Sequence, residues 1–105
     1  MKLATIKRVY QQINNRNFGG VLTMPRILFS RSLDYDAQHS GDIIEFNLRD
    51  TKGIAQLSEL VYHEQCHQYV DSFLQVEDNT HHGHEFTQTY NKFCSGITTD
   101  EDYKL

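Results

Sequence analysis

His63-Glu64-Gln65-Cys66-His67 spells HEQCH, an HExxH pattern, and His82 follows in the run His81-His82-Gly83-His84-Glu85-Phe86. On a helix, residues four apart are separated by about 40° around the axis and about 6 Å along it. The imidazoles of His63 and His67 would therefore face one point, with the carboxylate of Glu64 beside it. Two histidines, an adjacent glutamate and a further ligand downstream are the parts of a hydrolytic zinc centre.

The pattern requires a helix, and the surrounding residues predict one. Gly53 to Val76 contains no proline and no internal glycine. Leu60, His63, His67, Val70 and Leu74 recur at three- and four-residue steps, and Ile54, Leu57 and Val61 supply a neighbouring apolar stripe. Gly53 is the break before this helix, and Asp78-Asn79 provides turn chemistry after it. The histidines fall in the apolar stripe, where imidazoles and a carboxylate need partners that satisfy them. A metal ion does so.

A catalytic zinc site keeps three protein ligands and one water. Spacing alone leaves His81, His82, His84 and Glu85 open as the third ligand, and it excludes the compact HExxHxxGxxH arrangement. A second helix is expected from near Gly83 through Phe93, with Phe86, Tyr90 and Phe93 on one face. His82 would lie at its start. Glu64, between the two ligands, is placed to take a proton from zinc-activated water and return it to a leaving amine. Tyr62, Tyr69, Tyr90 and Tyr103 are candidates to assist at the oxyanion, and Asp71 is a candidate partner for a ligand imidazole.

The stretch LVYHEQCHQYV followed by HHGHEF resembles the SprT-like zinc metallopeptidase family (Spartan-type catalytic domains). That family carries HExxH on one helix and a third histidine in an HGxEF or HGxEW motif. His82-Gly83-His84-Glu85-Phe86 is similar to HGxEF residue by residue. The resemblance implies that His63, His67 and His82 bind one Zn2+ and that Glu64 is the catalytic base. It leaves His84 in the variable place. Glu85 then either accepts a hydrogen bond from a ligand imidazole or favours the helix N-terminus by charge. A weaker similarity covers FGGVL and the GDIIEFN run. The family's activity, implied here as an expectation, is that of an endopeptidase acting on protein or peptide substrates, including proteins on DNA. The resemblance implies a metallopeptidase domain over residues 1–97, and the acidic run Thr98-Thr99-Asp100-Glu101-Asp102 reads as part of a loose tail over residues 98–105.

Composition sets the outer bounds. The chain has 105 residues, 38% of them hydrophobic, which suits one small domain with a modest core. Its two cysteines are not a disulfide framework. Cys66 falls off the ligand face and reads as a small packed hydrophobe, and Cys94 ends the last helix. There is no paired-cysteine motif of zinc-ribbon type, so functions tied to such a module are not expected. No apolar run is long enough for a membrane span. The N-terminal stretch reads as an amphipathic helix with Leu3, Ile6, Val9, Tyr10 and Ile13 on one side, without the apolar core of a signal peptide. The expected location is cytoplasmic, with DNA association as a variant.

All fourteen acidic residues lie from Asp34 onward, whereas Lys2, Lys7, Arg8, Arg16, Arg26 and Arg31 precede it. The basic N-terminal segment offers a weak contact for DNA phosphates, set against a net charge of −4. Two other readings are a zinc-stabilised adaptor without catalysis and a nucleic-acid-associated accessory protein.

The middle of the chain predicts strands. Val21-Leu22-Thr23-Met24 and Arg26-Ile27-Leu28-Phe29-Ser30 flank Pro25, which suits an edge or bulge. Asp42 to Leu48 alternates, with Ile44, Phe46 and Leu48 on one face. Asp34 to Gly41 reads as a polar hairpin connection. The expected fold is α+β and zincin-like: an N-terminal helix, a short antiparallel sheet, the HExxH helix and a following helix. Extended substrate would add to a sheet edge beside the metal, the edge being the proline-bearing strand or Ile43 to Leu48.

Overall fold

The computed structural model describes residues 3–30, 37–47, 53–74 and 83–94. Within them the chain forms a small α+β domain of helix α1 (Leu3–Asn17), strands β1 (Arg26–Ser30), β2 (Ala37–Ser40) and β3 (Ile43–Asn47), helix α2 (Ile54–Tyr69), a π-helical turn (Val70–Leu74) and helix α3 (His84–Phe93). The tail over residues 98–105, the turn at Asp78-Asn79 and Leu48 lie outside the described residues. No described helix is long and apolar enough to cross a membrane.

Helix α1 buries Ile6, Val9, Tyr10 and Ile13 on the expected side, while Leu3 at its start is exposed. It ends where Gly19 (φ 64°) and Gly20 (φ 76°) turn left-handed, a conformation that suits glycine. The next segment departs from the sequence reading. Val21 to Met24 forms no strand, because helix side chains take its backbone groups. Asn14 receives the Leu22 N–H at 3.0 Å and donates its amide to the Leu22 carbonyl at 2.8 Å. Gln68 of α2 donates to the Thr23 carbonyl at 2.7 Å, and the Tyr10 hydroxyl donates to Gln68 Oε1. With these groups satisfied, nothing drives the segment into a ladder.

The sheet is mixed, in the order β1-β3-β2, rather than wholly antiparallel. β1 runs parallel to β3 with Ile27 opposite Ile44, and β2 runs antiparallel to β3 with His39 opposite Ile44. The polar stretch read as a connection contains β2, and only Gly41 and Asp42 separate it from β3. Gly41 adopts φ 60°, as a two-residue hairpin turn requires. β3 is therefore central. The edges are β1, which starts directly after Pro25 as the missing N–H demands, and β2.

The core lies between the sheet and the helices. Ile44 and Phe46 of β3 meet Ile6, Val9, Tyr10 and Ile13 of α1 and Leu57, Val61, Tyr62 and Cys66 of α2. The deepest face of α2 runs through Leu57, Val61, Tyr62, Gln65 and Cys66, each 0% exposed. His63 and His67 sit half-buried on the flank of that face, and Leu74 is exposed beyond it. The apolar period located the helix correctly but displaced its buried centre toward the histidines. Gln65 tolerates the core because its amide donates to the Tyr10 carbonyl at 3.0 Å, tying α2 to α1. α3 buries Phe86 and packs Tyr90 and Phe93 against the core, as its sequence pattern predicts.

Candidate metal centre

Gly53 (φ 114°) opens α2, and the uninterrupted helix from Ile54 carries His63 and His67 one turn apart. Their ring centroids are 5.1 Å apart. The ligating atoms of His63, Glu64 and His67 all lie within 4.8 Å of one another. Two imidazole nitrogens and a carboxylate so gathered form a group able to hold a metal ion. Imidazole nitrogen and carboxylate oxygen are donor types that divalent ions, zinc among them, accept.

α3 closes one side of this group. Gly83 is extended (φ −71°, ψ −173°) and the helix begins at His84, which puts Phe86 in its first turn. The Phe86 ring lies 4.9 Å from the His63 ring and 4.4 Å from the His67 ring, centroid to centroid. Phe86 is buried, so it forms an apolar wall that restricts both imidazoles. The sequence reading placed Phe86 on the core face of α3 with Tyr90 and Phe93. Its contact with both histidines adds a role that periodicity does not reveal.

Glu64 is 3% exposed. Burial raises its carboxyl from the ordinary 4.5 to about 7, and a hydrogen bond from the His39 backbone N–H partly offsets the rise. Removing a carboxylate from water disfavours its charged form, whereas a donor aimed at it favours that form. A carboxyl poised near neutrality is suited to accept and return a proton at physiological pH.

Other candidates resolve differently. His81 and His82 lie outside the described residues. Among the described residues the metal-competent group contains neither His84 nor Glu85. His84 is exposed, and Glu85 occupies the first turn of α3, where its charge suits the helix N-terminus. Asp71 is exposed. Cys66 is fully buried and its thiol is pushed up to about 12, mainly by burial. It is therefore a packed neutral group, as its off-face position predicts. Tyr62 is buried and its hydroxyl donates to the Tyr90 carbonyl, so it is a core residue with a committed proton. Tyr69 and Tyr90 pack in the aromatic cluster with Phe93 and Tyr62, and Tyr103 lies outside the described residues.

His39 is the residue that the sequence reading missed. It belongs to β2, a strand with no apolar alternation to announce it, and its link to Glu64 is made by a main-chain N–H that leaves no mark in sequence.

Compared with protein-family models, curated proteins and solved structures, the chain showed no match.

Proposed function

We propose that this chain is a small zinc-dependent endopeptidase of SprT-like arrangement, in which His63, His67 and His82 hold one zinc ion and Glu64 is the general base. The observation that carries the reading is the convergence of His63, Glu64 and His67 on one flank of α2, with the carboxyl buried and raised toward neutrality. The similarity of His82-Gly83-His84-Glu85-Phe86 to the HGxEF motif supports His82 as the third ligand.

Zinc, when bound, supplies Lewis acidity toward a water and a scissile carbonyl. Glu64 takes the proton of the attacking water and returns it to the leaving amine. The His39 N–H holds the Glu64 carboxylate while it does so. Phe86 restricts the two imidazoles and keeps bulk water from their shared side. Protein or peptide is the substrate class; of the two sheet edges, the proline-flanked β1 and β2, it is β2 that lies against α2 and offers itself to extended substrate, whereas β3, the other strand named from the sequence, is central. DNA-bound proteins are the narrower candidate. Lys7 and Arg8 are exposed on α1, a helix with no acidic residue, and they offer a contact for phosphates.

The test compares wild type, Glu64→Gln and His63→Ala for zinc content and for hydrolysis of an unstructured protein, with and without DNA. The proposal expects Glu64→Gln to keep zinc and lose hydrolysis, and His63→Ala to lose both. Equal hydrolysis by wild type and Glu64→Gln would refute the role of Glu64. Zinc binding with no hydrolysis under any condition would favour the adaptor reading instead.

A further inference from the structure

β2 lies against α2 and pairs His39 with Ile44. Residues directly opposite in an antiparallel pair share a face, and Ile44 is wholly buried in the core. His39 therefore sits on the helix-facing side of the sheet. Its N–H bonds the Glu64 carboxylate, so it points away from β3. Alternation then leaves Gln38 and Ser40 to make the ladder bonds to β3.

The imidazole makes a second, local bond, to the Gly41 backbone. Its Nε2 is buried without a hydrogen-bond partner. The nitrogen that bonds Gly41 is therefore Nδ1, donating its N–H to the carbonyl. Gly41 begins the turn between β2 and β3, and turn geometry sets hairpin register. One residue thus ties down the turn with its side chain and the carboxylate with its main chain.

We propose that His39 is a positioning residue for this site: its Nδ1–H, anchored on the Gly41 carbonyl, fixes the β2 turn so that its own N–H holds Glu64 in one orientation. Glu64 has three rotatable side-chain bonds, and a donor fixed in the backbone selects among their rotamers without a flexible side chain of its own. A hydrogen bond from N–H to carboxylate is also among the stronger kinds. The kinetic part of the inference rests on the peptidase reading; the geometric part does not.

The test uses the whole 105-residue chain carrying His39→Ala, His39→Asn or His39→Gln. Asparagine presents an amide N–H near the place of Nδ1, whereas glutamine presents one near Nε2. Two readouts are taken: kcat and KM alongside zinc content, and the amide proton resonance of residue 39 in metal-free protein, with Glu64→Gln as the reference. Loss of a partner behind a working group typically costs about 10- to 100-fold, so alanine and glutamine are expected to lower kcat by that factor with KM and zinc content nearly unchanged. Asparagine is expected to restore most of kcat. The residue-39 amide proton should lie downfield in wild type and in His39→Asn and move upfield in Glu64→Gln.

Wild-type kcat in His39→Ala, or equal losses in all three variants, would overturn the proposal. So would an amide resonance indifferent to Glu64→Gln. A wild-type chain that hydrolyses nothing would overturn the peptidase reading alone, and the amide resonance would then decide the positioning role.

Discussion

Replacing Glu64 with glutamine should stabilise the metal-free protein at alkaline pH, although it removes a residue from the heart of the site. Burial lifts the carboxyl from 4.5 to about 7. Between those values the folded chain retains a proton that the unfolded chain has released. Its contribution is therefore fully present below about pH 4.5 and lost as pH rises through about 7. At 1.36 kcal/mol per pH unit the full loss is about 3 kcal/mol, and relaxation around the charge reduces what is measured to about 1–3 kcal/mol. Glutamine has no charge to bury, and its amide oxygen accepts the His39 N–H more weakly than a carboxylate does. Chelator-treated wild type and Glu64→Gln should therefore unfold at similar urea concentrations near pH 4.5, and the variant should be the more stable at pH 8. A difference that does not change with pH, or a less stable variant at pH 8, would refute the argument that Glu64 is buried against its charge.

Other expectations follow from the same geometry. A divalent ion beside Glu64 favours the carboxylate, so zinc uptake at pH 6 should release more protons than at pH 8, and Glu64→Gln should diminish the excess; calorimetry in buffers of different ionisation enthalpy measures this. Phe86→Ala should destabilise the fold by about 3–5 kcal/mol and loosen zinc binding, whereas Phe86→Leu should do much less of both, as read by urea unfolding and zinc titration. Asn14→Ala should cost about 1–3 kcal/mol, because the buried Leu22 backbone groups lose both partners. His82→Ala should lose zinc while His84→Ala keeps it; the opposite pattern in metal analysis would move the third ligand.

The parts legible in the sequence are those encoded locally. The HExxH helix follows from its 3.6-residue period, from Gly53 before it and from the absence of breakers within it. α3 follows from Gly83 and from the spacing of Phe86, Tyr90 and Phe93. β3 follows from alternation of Ile44 and Phe46. What the sequence hides is decided between distant segments. Val21 to Met24 is apolar and β-prone, yet Asn14 bonds the Leu22 N–H and carbonyl and Gln68 the Thr23 carbonyl, and the segment forms no strand. Ala37–Ser40 is polar and short, yet the Gly41 turn folds it onto β3 as an edge. The parallel pairing of β1 with β3 has no local signature. At the site, His63, Glu64 and His67 were readable because one helix presents all three. His39 was not, because it reaches Glu64 through its main chain.

The central claim is that His63 and His67 bind one ion that keeps a position for water. X-ray absorption at the zinc edge of the loaded protein, repeated on His63→Ala, tests it most directly. The account predicts three imidazole nitrogens and one exchangeable oxygen, with binding abolished by the substitution. A zinc sealed by four protein side chains, or one bound equally well by His63→Ala, would contradict it.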